Sequence, residues 1–157
     1  MISQPASHVC RCILVAVVAT LTAACSTHPP ASKPGNHVGE RAAAIALDQL
    51  GAPYRYGGSN PRGFDCSGLV QYSYARAGIS LPRTTTALWN HADPVDSRRL
   101  RAGDLLFFNI SGKMSHVGLY LGDGRFVHAP SSGKVVRVES LNSDYYSRAF
   151  LRAGRPK

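Results

Sequence analysis

A chain of 157 residues has room for one domain with its own core and leaves little for a second. The formal charge of +9 at pH 7 points to a polyanionic partner such as cell wall or anionic lipid. Nucleic acid is disfavoured: the arginines are scattered apart from Arg98, Arg99 and Arg101, and no aromatic platform interleaves them.

In chain order, residues 1–25 come first, with Arg11 followed by an apolar run from Ile13 to Ala24 that is short for a bilayer span. The run ends in Leu21, Thr22, Ala23, Ala24 and Cys25. This resembles a bacterial lipoprotein signal, with Thr22 where the usual leucine stands. The resemblance implies export, diacylation of Cys25 and a lipid anchor to the membrane. Ser26 fits delivery to the periplasmic face of an outer membrane. An ordinary secretory signal cut nearby is the alternative. Residues 26–37, with Pro29, Pro30 and Pro34, read as a semi-extended tether.

Of four cysteines, Cys10 and Cys12 leave with the signal and Cys25 carries lipid. Cys66 then remains as the single thiol of a domain over residues 38–157. An exported domain that keeps one free thiol risks its oxidation, so the thiol is expected to have a task.

Apolar positions from Val38 to Leu50 predict an amphipathic helix ended by Gly51 and Pro53, and a turn-rich loop runs from Ala52 to Arg62. Asp65 is a favoured N-cap, and Leu69, Val70, Tyr74 and Ala77 recur at helical spacing until Gly78. Cys66 is thereby placed in a first turn, where free N–H groups and the helix dipole favour a thiolate. Residues 81–94 predict a short helix flanked by loops. From Leu100 the pattern changes to short strands over 105–108, 117–121, 125–128, 135–139 and 149–153. Helices first and strands afterwards predict an α+β fold, N-terminal helices packed on a central antiparallel sheet.

Two histidines fall in the strand region, and the turn at Gly122, Asp123 and Gly124 decides whether they share a face. A two-residue loop would turn them opposite ways. A three-residue loop pairs Leu121 with Arg125 and Gly118 with His128, which makes His116 and His128 diagonal neighbours on one face. The expectation is the three-residue register. Val117, Leu119, Leu121 and Phe126 would then face the core, with open space at Gly118. With the Cys66 helix across this face, Cys66 can pass its proton to His116 while His128 accepts from the other ring nitrogen and fixes the tautomer.

The run Pro53 to Gly58, the run Phe64 to Val70, Leu81 to Thr84, Gly103 to Leu105, His116 to Tyr120 and Phe126 to Ala129 together resemble the NlpC/P60 family of papain-like cysteine peptidases that trim bacterial wall peptides. The resemblance covers about residues 38 to 155. It implies a papain-like fold and a peptidoglycan endopeptidase that needs no metal and no cofactor. Cys66 is implied as nucleophile, His116 as base and His128 as the third polar residue. Tyr54 would lie near the developing oxyanion, and Asp65 and Ser67 would contact the stem peptide. Arg83 would meet a substrate carboxylate or form an ion pair.

Three rival readings remain. They are a catalytically silent wall-binding adaptor lipoprotein, a Zn²⁺ site built from one Cys and two His, and an amidase or acyltransferase on the same fold. The scissile bond and any regulatory protein partner are unassigned.

Overall fold

The computed structural model describes residues 36–157, so the signal, Cys25 and nearly all of the tether lie outside the described residues. The first helix, α1, spans Asn36–Leu47, two residues earlier at its start than the apolar pattern predicts. Its end is also earlier than predicted. After Leu47 the amides of Gln49 and Leu50 bond three residues back, to Ala46 and Leu47, and the chain turns out through Gly51 at φ 84°. Leu50 is accordingly half exposed.

A small hairpin follows, β1 (Ser59–Asn60) inside the stretch that reads from sequence as loop and β2 (Gly63–Phe64) just after it. Next come α2 (Cys66–Ala77), α3 (Thr85–His91), the edge strand β3 (Asp93–Val95) and a single 3₁₀ turn over Ser97–Arg99. The remainder is β4 (Leu105–Ile110), β5 (Lys113–Gly122), β6 (Arg125–His128), β7 (Arg137–Ser140), α4 (Asp144–Ala149) and β8 (Phe150–Arg155). Six strands form one antiparallel sheet in the order β3-β8-β4-β5-β6-β7. The α+β architecture is therefore as expected.

Both faces of this sheet are buried. On one, Leu105, Phe107, Val117, Leu119 and Val127 pack against Leu69, Val70 and Tyr74 of α2 and Ala42 and Ala46 of α1. On the other, Leu106, Phe108 and Phe126 pack with Tyr146 of α4 and with Ala153 and Phe150 of β8.

The register through the body of the β5–β6 hairpin is the expected one. Leu119 pairs with Val127 and Tyr120 with Phe126, so Gly118 stands opposite His128. The turn itself differs. Gly122 pairs with Arg125 around Asp123 and Gly124, both at positive φ, and the extra residue is a bulge at Leu121. Three expectations are corrected by this pairing. The Cys66 helix, α2, packs on the face of Val117, Leu119 and Val127 and not across that of Gly118 and His128. Phe126 lies on the face of His128, because alternation along β6 separates it from Val127. Nor is the place beside Gly118 open: a Cβ there would stand 2.6 Å from Phe126 Cδ2, so the ring fills it.

Candidate active site

The site is built around the start of α2. Asp65 has extended geometry (φ −91°, ψ 176°), and its Oδ1 accepts from the Gly68 amide at 2.7 Å, while Gly78 closes the helix in the left-handed region. Asp65 does more than cap. Its Oδ2 accepts from the Gly57 amide at 2.9 Å, and both oxygens are held by the Arg83 fork, Nη1 to Oδ1 at 2.9 Å and Nη2 to Oδ2 at 2.7 Å. Arg83 Nη1 also donates to Ser67 Oγ at 2.9 Å.

Arg83 forms an ion pair with Asp65, one of the two roles expected of it. Burial alone would raise the Asp65 carboxyl, but the Arg83 hydrogen bonds and the Gly68 and Gly57 amides outweigh it and hold it below its ordinary value. This knot ties the Tyr54–Gly58 loop to the first turn of α2. Between them opens a cleft of about 400 Å³ whose walls include Tyr54, Tyr56, Cys66, Arg83 and Ser115.

Cys66 Sγ sits 3.7 Å from Thr85 Oγ1 and 3.8 Å from the Ser115 carbonyl. Thr85, at the start of α3, carries no motif that would have singled it out. Burial pushes the thiol up despite the hydrogen bonds that pull it down, so the first-turn position does not by itself make a thiolate here.

The two histidines meet on β5 and β6. His116 Nε2 lies 2.7 Å from His128 Nδ1, with the rings edge to face, and His128 Nε2 lies 3.4 Å from the Tyr146 hydroxyl. Burial lowers His116 to about 4. His128 is lowered as well, first by burial and then by the nearby His116, Arg137 and Lys134. A neutral pair at this distance shares one proton between the facing nitrogens. When His116 Nε2–H donates, its Nδ1 carries the free lone pair, which is the tautomer a base needs.

The structure thus joins His116 to His128 and sets Cys66 against Ser115, the residue beside His116. It does not hydrogen-bond Cys66 to either ring. Among the described residues no group of three or more His, Cys, Asp or Glu side chains converges as a metal site would require.

The NlpC/P60 family profile matches residues 51–155. The chain is 43% identical over 115 residues to the murein DD-endopeptidase MepH of Escherichia coli, an alignment covering 69% of this chain and 42% of that protein. Among solved structures, the NlpC/p60 domain of the peptidoglycan hydrolase SagA superposes with a TM-score of 0.65 at 34% identity, over 74% of this chain and 97% of that one. A Staphylococcus aureus protein described as similar to lipoprotein, NLP/P60 family, gives a TM-score of 0.69 at 32% identity, over 83% of this chain and 45% of that one. The chain therefore spans less than half the length of the curated relative it matches here.

Proposed function

The chain belongs to the NlpC/P60 family, and from that premise we propose that it is an exported, lipid-anchored cysteine endopeptidase that hydrolyses stem or cross-link peptides of peptidoglycan. The observation that carries the reading is the first-turn placement of Cys66 beside the strand segment that presents His116, itself bonded to His128. The endopeptidase and peptidoglycan hydrolase names of the relatives supply the substrate class.

In this mechanism Cys66 Sγ attacks the scissile carbonyl carbon as its proton passes to His116 Nδ1. The resting thiol is protonated and His116 is neutral, so no ion pair needs to exist before substrate arrives. Binding brings thiol and ring together, as catalytic hydrogen bonds often tighten only in the complex. The carbonyl oxygen becomes an oxyanion. As the first residue of α2, Cys66 has an N–H with no partner inside the helix, and this amide faces the developing charge with Tyr54 nearby.

Collapse of the tetrahedral intermediate breaks the C–N bond, and His116 returns the proton to the leaving amine. Water then attacks the thioester with His116 as base, releasing the carboxylate product and the thiol. His128 holds the His116 tautomer throughout. Asp65 and Arg83 line the cleft beside Cys66, and Ser67 is bonded into their knot.

The test is mass spectrometry of peptidoglycan digested by the full chain beside its Cys66→Ala variant. New peptide termini are expected with the wild type alone, and they identify the bond. Equal cleavage by the variant rules out the nucleophile. Absence of cleavage by either protein on several wall types favours the wall-binding adaptor. Lipidation is tested separately, since Cys25→Ser should move the protein from the membrane to the soluble fraction.

A further inference from the structure

A second cavity, of about 530 Å³, lies on the other side of the histidine pair, with His116 in its wall and Cys66 outside it. It adjoins the Cys66 cleft at two places. Ser115 and His116 are consecutive on β5, yet Ser115 lines the cleft and His116 the cavity. Tyr54 lines the cleft and donates its amide at 2.8 Å to the carbonyl of Lys134, a residue that lines the cavity. The Tyr54–Lys134 main-chain hydrogen bond stands between the two spaces, and the Ser115–His116 step of β5 is the point at which an extended ligand over Cys66 would reach the cavity.

The chemistry of the two spaces differs. In the cleft the guanidinium of Arg83 is committed to Asp65. In the cavity Arg137 is paired with Glu139 at 2.7 Å, which cancels those two charges. Its Nε is nonetheless buried without a hydrogen-bond partner. Lys134 is exposed and has no ion-pair partner among the described residues, so the cavity keeps one uncompensated positive charge. Ile110, Pro130 and Tyr145 supply apolar surface beside it.

We propose that this cavity is the subsite for the leaving fragment, and that it takes a peptide ending in a free carboxylate held by Lys134. The assignment of side rests on the endopeptidase reading above. His116 is 6% exposed and lines this cavity, so the amine it protonates departs on this side. A carboxylate a short peptide's length from that amine meets the one free cation of the cavity, and the aliphatic part lies against Ile110 and Pro130.

The test uses the isotope-labelled full chain carrying Cys66→Ala, so that no turnover intervenes, and D-alanyl-D-alanine with its C-terminal amide for comparison. Saturable NMR shifts are expected in the amides of residues 131–137 and 143–146. The free acid should bind about three- to fivefold more tightly than the amide, as a partly exposed ion pair allows, and Lys134→Gln should remove the difference. Equal binding of acid and amide, a preference that survives Lys134→Gln, or the same shifts from inorganic phosphate alone would each overturn the proposal. The readout does not depend on turnover. Failure of the peptidoglycan digestion leaves these shifts in place, and a cleaving enzyme that shows no carboxylate preference refutes only the subsite.

Discussion

At the scale of single residues, the site stores its proton-transfer groups in their neutral forms. The His116–His128 pair is buried and bonded to itself, so neither ring is protonated near pH 7. That has a consequence for stability. A histidine bound by fewer protons when folded than when unfolded contributes fully above its unfolded pKa and loses that contribution as pH falls. For His116 the window runs from the ordinary 6.5 down to about 4. Its cost there is on the order of 3 kcal/mol at 1.4 kcal/mol per pH unit. Thermal melting should therefore drop in midpoint between pH 6.5 and 4, above the range where Asp65, held below its ordinary 3.8, takes up its proton. His116→Gln should flatten this limb. A limb of unchanged slope in that variant would assign the loss to other groups.

At the scale of elements, the cleft depends on how closely the start of α2 approaches the loop before β1. A Cβ on Gly68 would stand 2.0 Å from the Gly58 carbonyl oxygen, a backbone atom that cannot move aside alone. Gly68→Ala should therefore cost about 2 kcal/mol or more in urea denaturation and part the Tyr54 loop from Cys66, lowering hydrolysis as well. A wild-type midpoint would show that the approach is not tight. The helix itself was legible because its signals are local: the Asp65 cap, the apolar spacing and Gly78 all lie within the element. The β5–β6 register matches the expectation for a different reason: the two-residue turn at Asp123 and Gly124 is offset by the bulge at Leu121, which restores the same pairing. The helix α4 was not, since of its six residues only Tyr146 is buried and no apolar period announces it. The Asp65–Arg83 knot spans 18 positions, which explains why sequence left the role of Arg83 between ligand and ion pair.

At the scale of the whole molecule, the last strand is not an appendage. β8 lies between β3 and β4, so the sheet cannot be completed until the C-terminus has folded into it. One charged pair secures that position. Arg155 Nε and Nη2 donate to Asp104 Oδ1 and Oδ2, both at 2.8 Å, and the Asp104 side chain is only 2% exposed. The Arg101 amide donates to the same carboxylate at 2.8 Å. The Gly103–Leu105 run belongs to the family pattern, but its purpose was not legible because the partner of Asp104 is 51 residues away. Removing the arginine leaves a buried carboxylate that has lost both guanidinium bonds and keeps the Arg101 amide, and truncating one partner of such a pair is far more costly than the pair's net worth. Arg155→Ala should accordingly lower the unfolding free energy by about 2–4 kcal/mol in urea. Arg155→Lys should recover only part of it, because an ammonium cannot reproduce the two parallel bonds. Because β4 continues through its hairpin into the strand that carries His116, hydrolysis should weaken with stability in both variants. An Arg155→Ala protein within about 0.5 kcal/mol of the wild type would show that the sheet closes on its apolar faces alone.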